Sequence, residues 1–254
     1  MVKFDMPSFD VVIPLIPQHD SQMNRIFSIL SRQNIEISQV ILARSETWAP
    51  KKYLEHKFRK SAGQAGLRCL ITVVPIRTMN ADGSNRNRGW KLCQSEFVVF
   101  LDADDNYSDQ MLANIHMCIE STGADAIIHN FESEDSVLAN KILDLASNEI
   151  TTRAFLAKEK DSNSEFYAIV DCEGKELRVH FAHLTIRRSL IEKFQYSDRF
   201  PGADQELVQR LVRDDVTVLY IPKQLSSWSR ERSLRYLVRI YRKRIIKSLK
   251  KIFS

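Results

Sequence analysis

The sequence has no apolar run long enough to cross a bilayer, no internal repeat, no low-complexity segment and no CxxC pair. Its four cysteines, Cys69, Cys93, Cys118 and Cys172, stand at irregular intervals. That excludes a zinc ribbon and a disulfide framework and suits a reducing compartment such as the cytoplasm. The opening MVKFDMPSFDVV reaches only a short apolar stretch before Pro14 and Pro17, so neither a secretory signal nor a membrane span is expected there. His129, His180 and His183 lack the spacing that would single out zinc. Structural roles are expected for them, with His183 lining an acceptor pocket as the functional alternative.

What is present is an ordinary globular composition. Of 254 residues, 44% are hydrophobic and 27% charged, close to the averages of folded domains and enough for a substantial core. The net charge of +5 is uneven, because Arg230 to Ser254 hold ten Lys or Arg against one acid, Glu231. The body is therefore mildly acidic and the tail strongly basic. The expected division is one domain over residues 1–230 and a tail over residues 231–254.

Within the body, short β-rich runs alternate with amphipathic stretches. Val11 to Ile16, Gln39 to Ala43, Cys69 to Val74 and Phe97 to Leu101 are crowded with β-branched and aromatic residues and read as strands. Ser21 to Leu30, Pro50 to Lys60 and Asn85 to Cys93 read as the helices between them. Ser108 to Glu120 reads as a helix capped by Ser108, and Asp204 to Val212 as another. Ala126 to His129, Ala182 to Ile186 and Val216 to Ile221 read as further strands, while residues 131–170 give no clear pattern. Apolar strands each followed by a helix predict an α/β fold with a mostly parallel central sheet covered on both faces. In such sheets ligands bind at the carboxyl ends of strands.

One of those ends is strongly acidic. Phe97-Val-Val-Phe-Leu is followed by Asp102-Ala-Asp104-Asp105. Carboxylates this close repel one another unless a cation joins them. A hard divalent ion such as Mn2+ or Mg2+ suits oxygen ligands and completes its shell with substrate phosphates. An EF-hand is excluded, since Tyr107 sits where Gly is wanted and Ala113 where the bidentate Glu belongs. A dehalogenase-type phosphatase fits poorly as well, because its acidic pair follows an early strand. Just upstream, Asp82-Gly-Ser-Asn-Arg-Asn-Arg-Gly89 forms a turn into a short helix. Two glycines there would let backbone approach a ligand, and Arg86 and Arg88 are available to a phosphate.

The combination G-x-x-R-N-x-G, short helix, hydrophobic strand and D-A-D-D resembles the inverting family 2 glycosyltransferases of the GT-A fold. The likeness extends to Asp10-Val-Val-Ile-Pro-Leu, similar to the family's first strand, and to Phe200-Pro-Gly-Ala-Asp-Gln-Glu-Leu-Val-Gln-Arg210, similar to its acidic pair and helix. The resemblance implies that Pro14 lies beside the donor nucleotide and Arg86 contacts it. It implies that Asp102 meets the ribose or helps hold the metal, and that Asp104 ligates the metal bridging the diphosphate. Asp204 would be the catalytic base that deprotonates the acceptor hydroxyl, with Glu206 the alternative and Ala203 in place of the usual acidic neighbour. The sequence departs from the family where its second strand ends, because Ala43 and Arg44 replace the aspartate pair that reads the base. Base reading would then pass to Glu46 or to backbone.

In the tail, Leu237, Tyr241, Ile245, Leu249 and Ile252 recur at helical steps among basic residues. This predicts a basic amphipathic helix at an anionic membrane surface and a peripheral location on the cytoplasmic membrane face; docking on the domain or on a partner subunit is the alternative. Nucleic acid is not an expected partner. Trp90 is expected to pack its helix on the sheet and Trp228 to pack where the tail departs. The expected activity is transfer of a sugar from a nucleotide diphosphate-sugar to a glycan or lipid-linked acceptor in surface polysaccharide or glycoconjugate synthesis. A non-catalytic nucleotide-sugar or glycan-binding protein of the same fold and a metal-dependent nucleotidyltransferase are the alternatives.

Overall fold

The computed structural model describes residues 8–78, 82–133, 152–156, 169–177, 179, 181–197 and 202–228, the side chains of 82, 132, 133, 156 and 228 excepted. The basic tail, Trp228's ring and His180, for which an amphipathic helix, a packing role and a structural role are expected, therefore lie outside the described residues.

Strand β1 (Phe9–Leu15) is buried along its whole length. A 3-10 turn over Pro17–Gln22 leads into helix α1 (Met23–Ser31), followed by β2 (Ile37–Arg44), α2 (Lys51–Gln64) and β3 (Leu70–Val73). Then come α3 (Asp82–Trp90), β4 (Phe97–Phe100), the short β5 (Asn106–Tyr107), α4 (Met111–Thr122) and β6 (Ala126–Ser133). Beyond them lie β7 (Thr152–Arg153), β8 (Phe155–Leu156), β9 (Ile169–Val170), β10 (Thr185–Arg187), α5 (Arg188–Lys193), α6 (Ala203–Arg213) and β11 (Val218–Trp228).

Alternation along β1 separates two cores. Phe9, Val11, Ile13 and Leu15 face a cluster filled by Phe27 of α1, Phe58 of α2 and Leu112 of α4. Val12 faces the other side, where Trp90 of α3, Ile191 of α5 and Leu207 of α6 pack. Successive side chains of a strand point to opposite faces, so a continuously apolar strand requires helices on both sides. Trp90 packs on the sheet, as expected from the sequence.

The sheet order is β3-β2-β1-β4-β10-β6-β11-β5. Strands β3, β2, β1 and β4 are parallel, but β10 runs antiparallel to both β4 and β6. The sheet is therefore mixed rather than mostly parallel. Strand polarity is decided by how the chain returns to the sheet, which residue alternation does not record. The consequence is local and important: β10 starts at the edge where the parallel strands end. Phe100 N donates to Leu184 O at 2.9 Å, so His183, one residue before, stands beside the acidic segment that follows β4.

Candidate functional site

Strand β4 ends at Phe100, and Asp102 begins the turn at the carboxyl edge. Its carboxylate takes a 2.6 Å ion pair from Arg86 of α3, whose side chain is only 3% exposed against 25% for Asp102. The guanidinium carbon of Arg86 also stacks 5.5 Å from the Tyr196 ring centre. Arg86 thus sits at the acidic turn, where it already neutralises one carboxylate.

The turn is held from beneath by a buried polar network. Tyr107 Oη accepts from Asp102 N at 2.7 Å, donates to Asp102 O at 2.8 Å and lies 3.1 Å from His183 Nε2. His183 Nε2 is 2.8 Å from Asp105 Oδ2, and Nδ1 is 2.9 Å from Ser226 Oγ on β11. His129 stacks on the His183 ring with centroids 5.7 Å apart. Burial raises the Tyr107 phenol well above its usual value, and the charges of Asp105 and Asp102 raise it further. Tyr107 is accordingly a neutral donor, and His183 is buried at 2% exposure rather than lining an open pocket.

Among the described residues, Asp102, Asp105 and His183 offer ligand atoms that all lie within 4.8 Å of one another. Two carboxylates and an imidazole fit a divalent cation by donor chemistry and spacing. Asp104 is not in that group; its carboxylate is 34% exposed and lies 3.9 Å from His19 Nε2 of the 3-10 turn. From α1, Arg25 clamps the same turn by donating to Ala103 O at 3.1 Å and Asp105 O at 2.6 Å.

Helix α3 joins this turn to the start of α6. A Cβ built on Gly83 would lie 2.8 Å from Ser197 O and 3.1 Å from Ala203 Cβ, and one on Gly89 would lie 2.4 Å from Val12 Cγ1. The two glycines therefore admit protein rather than ligand, a correction to their sequence reading. Asn87 locks the joint by donating to Tyr196 O at 2.7 Å and accepting from Tyr196 N at 3.0 Å. Arg88, expected at a phosphate, donates to Val74 O at 3.2 Å and Asn85 Oδ1 at 2.6 Å, and burial lowers its pKa. It braces the end of β3.

Asp204 lies in the first turn of α6, its Oδ1 accepting from Gln205 N at 3.0 Å. Glu206 is occupied by Ser197 Oγ and pairs with Arg210. Tyr196 lies among Arg86, Asp204 and Asp102: burial raises its phenol, the two carboxylates raise it further and Arg86 opposes them. Its buried hydroxyl has no hydrogen-bond partner among the described residues.

Pro14 is buried within β1 opposite Ala43, one residue before the strand ends. Arg44, at the end of β2, donates to both oxygens of Asp20 at 2.9 and 3.3 Å, and Lys57 reaches the same carboxylate at 2.8 Å. Glu46 adopts a positive φ of 53°, and its N donates to Thr78 O at 3.2 Å. Ser108 does not cap α4; its Oγ accepts from Gln110 N at 3.2 Å in the turn before the helix starts at Met111.

Tyr107, Asp105, His183 and Tyr196 carry site geometry that sequence reasoning gave no role, or only a minor one. Asp105 and Tyr107 adjoin the acidic motif and were open to notice; His183 and Tyr196 reach it only through the antiparallel β10 and the α3–α6 joint.

Comparison with known proteins agrees with the sequence resemblance. Residues 70–194 match the family Glycosyl transferase family 2, a span from β3 through α5 that includes Arg86 and Asp102 but not Asp204. The chain is similar in structure to residues 1–349 of S. aureus TarS in complex with UDP-GlcNAc, with TM-score 0.60 and 14% identity over 88% of this chain and 59% of that one. It is also similar to the mannosyltransferase PcManGT from Pyrobaculum calidifontis in complex with GDP-Man and Mn2+, with TM-score 0.63 and 12% identity over 93% of this chain and 61% of that one. The chain thus spans about 60% of the length of these solved chains. No curated protein matches its sequence. The fold is GT-A-like, an α/β sandwich with a mixed sheet.

Proposed function

We propose that the protein is a glycosyltransferase that moves a sugar, with inversion, from a nucleotide diphosphate-sugar to a glycan or lipid-linked acceptor. The observation that carries the reading is the joint of α3, Tyr196 and α6, which sets the Arg86–Asp102 pair and Asp204 around one buried phenol at the carboxyl edge. The family 2 match covers the donor side of this arrangement, and similar folds have been solved with UDP-GlcNAc and with GDP-Man and Mn2+.

The roles follow from charge. A divalent ion at the Asp102 edge would stabilise negative charge developing on the departing diphosphate. Arg86 holds Asp102 in place. Asp204 accepts the proton of the acceptor hydroxyl as that oxygen attacks the anomeric carbon from the side opposite the leaving group, which inverts the centre. A buried hydroxyl without a partner is costly, so the position of Tyr196 favours a polar substrate group beside it. Residues 231–254 would hold the enzyme at an anionic membrane surface on the cytoplasmic side.

A second reading, nucleotide-sugar binding without turnover, rests on Arg44, whose pairing with Asp20 fills the position where the family carries a base-reading carboxylate. The deciding experiment titrates UDP, GDP, CDP and TDP by calorimetry with Mn2+ and then with chelator, on wild type and Asp102→Asn. Metal-dependent binding of one diphosphate, lost in the variant, supports the transferase. Binding of none in any condition overturns it. Sugar transfer to a glycan or lipid acceptor then separates catalysis from binding.

A further inference from the structure

We propose that Asn87 is a positioning residue of the transfer reaction: by gripping the backbone of Tyr196 it holds the proposed base, Asp204, in a fixed place relative to the Arg86–Asp102 pair. The inference rests on the transferase reading and adds the residue that aligns its two halves.

Arg86 and Asn87 are neighbours on one turn of α3 and leave the helix about 100° apart. Arg86 reaches Asp102 at 2.6 Å. Asn87 reaches a segment 109 positions further along the chain, donating from Nδ2 to Tyr196 O at 2.7 Å and accepting at Oδ1 from Tyr196 N at 3.0 Å. A carboxamide carries donor and acceptor in one plane, so it pairs with a peptide N–H and C=O as a neighbouring strand would. Two bonds to one residue fix both its distance and its orientation. Aspartate would keep the shape but lacks the donor, and its second oxygen would face the Tyr196 carbonyl.

From Tyr196 the hold passes to α6. Arg210 donates to Gln195 O and Ser197 Oγ donates to Glu206, so residues 195–197 are strapped to that helix on both sides of Tyr196. Gly83 brings α3 against the same place, since a Cβ there would meet Ser197 O at 2.8 Å and Ala203 Cβ at 3.1 Å. Asp204 is the next residue. The Tyr196 ring also packs edge-on against Phe100, with centroids 5.1 Å apart, at the end of the strand that leads to Asp102. Tyr196 therefore joins the donor side to α6, and Asn87 fixes its backbone to α3.

An in-line displacement needs such alignment. The acceptor oxygen must lie opposite the leaving diphosphate with its proton at Asp204, and a misplacement of about 1 Å costs on the order of 100-fold in rate. Loss of Asn87 frees the strap and α6 together, while Arg86 keeps Asp102. The rate should fall and diphosphate affinity should not.

The test uses water as the acceptor. Its oxygen bonds to the anomeric carbon, the bond from that carbon to the diphosphate breaks, and the proton goes to Asp204. The whole chain with Mn2+ is given UDP-glucose, UDP-N-acetylglucosamine and GDP-mannose, and release of nucleoside diphosphate yields kcat and KM. Asn87→Ala and Asn87→Asp should each lower kcat by about 10- to 100-fold, with KM and the calorimetric affinity for the diphosphate within about twofold of wild type. In an Asp204→Asn background, Asn87→Ala should cost less than about twofold more, because a residue acting through Asp204 has nothing left to position. An unchanged kcat overturns the proposal. So does an equal loss of affinity or an additive loss in the double variant, either of which makes Asn87 a general support of the fold. Asn87→Asp, nearly isosteric, decides where Asn87→Ala fails to fold, and failure of both to fold has the same meaning as additive losses. Turnover by wild type that both variants match sinks this role alone. A wild type that binds no diphosphate and releases none from any of the three donors overturns the transferase reading and this role with it.

Discussion

Arg86 Nη2 and Asp102 Oδ1 meet at 2.6 Å, one from a helix on the face of the sheet and the other from the end of its central strand. The pair is buried on the arginine side, so the charges are not interchangeable with solvent-exposed ones. Removing one partner leaves the other charge poorly solvated, which costs more than the pair itself is worth. Arg86→Met is expected to destabilise the fold by about 2 kcal/mol, below the fully buried case because Asp102 is part-exposed. Arg86→Met with Asp102→Asn should recover part of that loss. Urea unfolding of these two variants and of Asp102→Asn alone measures the coupling, and equal losses in Arg86→Met and the double variant would show that the pair is not the source.

In the proposed reaction Asp204 receives a proton rather than binding the donor. Asp204→Asn preserves shape and hydrogen bonding to Gln205 N but removes the proposed base. Transfer should fall by roughly 100- to 10,000-fold while diphosphate affinity, followed by calorimetry, stays within a factor of about two. A parallel loss of affinity would assign Asp204 to donor binding and return the base to Glu206.

The glycines of α3 test whether that helix serves packing or a ligand. A methyl at Gly89 would meet Val12 Cγ1 at 2.4 Å, so Gly89→Ala should cost about 1–3 kcal/mol through overpacking. Val12→Ala removes the colliding methyl, and the double variant should be more stable than the sum of the single losses predicts. Thermal unfolding reads this cycle. Additive losses would mean that the helix yields by another route.

The half of the site carried by contiguous sequence was legible. Phe97 to Asp105 announced a buried strand ending in carboxylates, and Arg86 followed from a motif about a dozen residues earlier, because both lie on consecutive elements of one β-α-β run. The rest depended on polarity and distance. Ala182 to Ile186 looked like a strand, yet nothing in its alternation says that it runs antiparallel between β4 and β6, and that direction alone brings His183 to Asp105. Gly83 and Gly89 were misread because a glycine marks close approach without saying what approaches. Arg88 failed for a related reason: an arginine in a turn offers donors, but whether carbonyls or phosphates take them is fixed by the end of β3. The departure at Arg44 was visible, whereas its partner Asp20 was not, since the pairing crosses from the 3-10 turn to β2.

Arg44 is itself testable. Its side chain is 6% exposed and its partner Asp20 18%. Lys57 also reaches Asp20, so Asp20 keeps a cation when Arg44 is lost. Arg44→Met should therefore cost only about 1 kcal/mol, towards the lower end for a buried pair. Arg44→Asp, which places a carboxylate where the family carries one, sets two acids together and should cost more. Urea midpoints at low and high salt separate the cases, and only the Asp variant should gain stability as salt screens the repulsion.

Three buried acids and one half-buried one point to alkaline instability. Burial raises the Tyr107 and Tyr196 phenols above their usual 10.0, drives the Cys93 thiol above its usual 9.0 and pushes Cys69 up to about 11. In each the folded state holds its proton more tightly than the unfolded chain does. Their stabilisation is complete well below the usual thiol value of 9.0, where both states are protonated. It is lost as pH rises, because the unfolded thiols and phenols ionise first. Folding free energy should thus be flat between pH 7 and about 8.5 from these groups and fall steeply between about 9 and 11. Urea midpoints across that range measure the slope. Tyr196→Phe isolates one contributor, since its hydroxyl has no hydrogen-bond partner among the described residues to lose. The variant should match wild type at pH 7 within about 0.5 kcal/mol and lose less stability by pH 10.5. An unchanged alkaline slope would mean that the Tyr196 phenol ionises in the folded state as readily as in the unfolded chain.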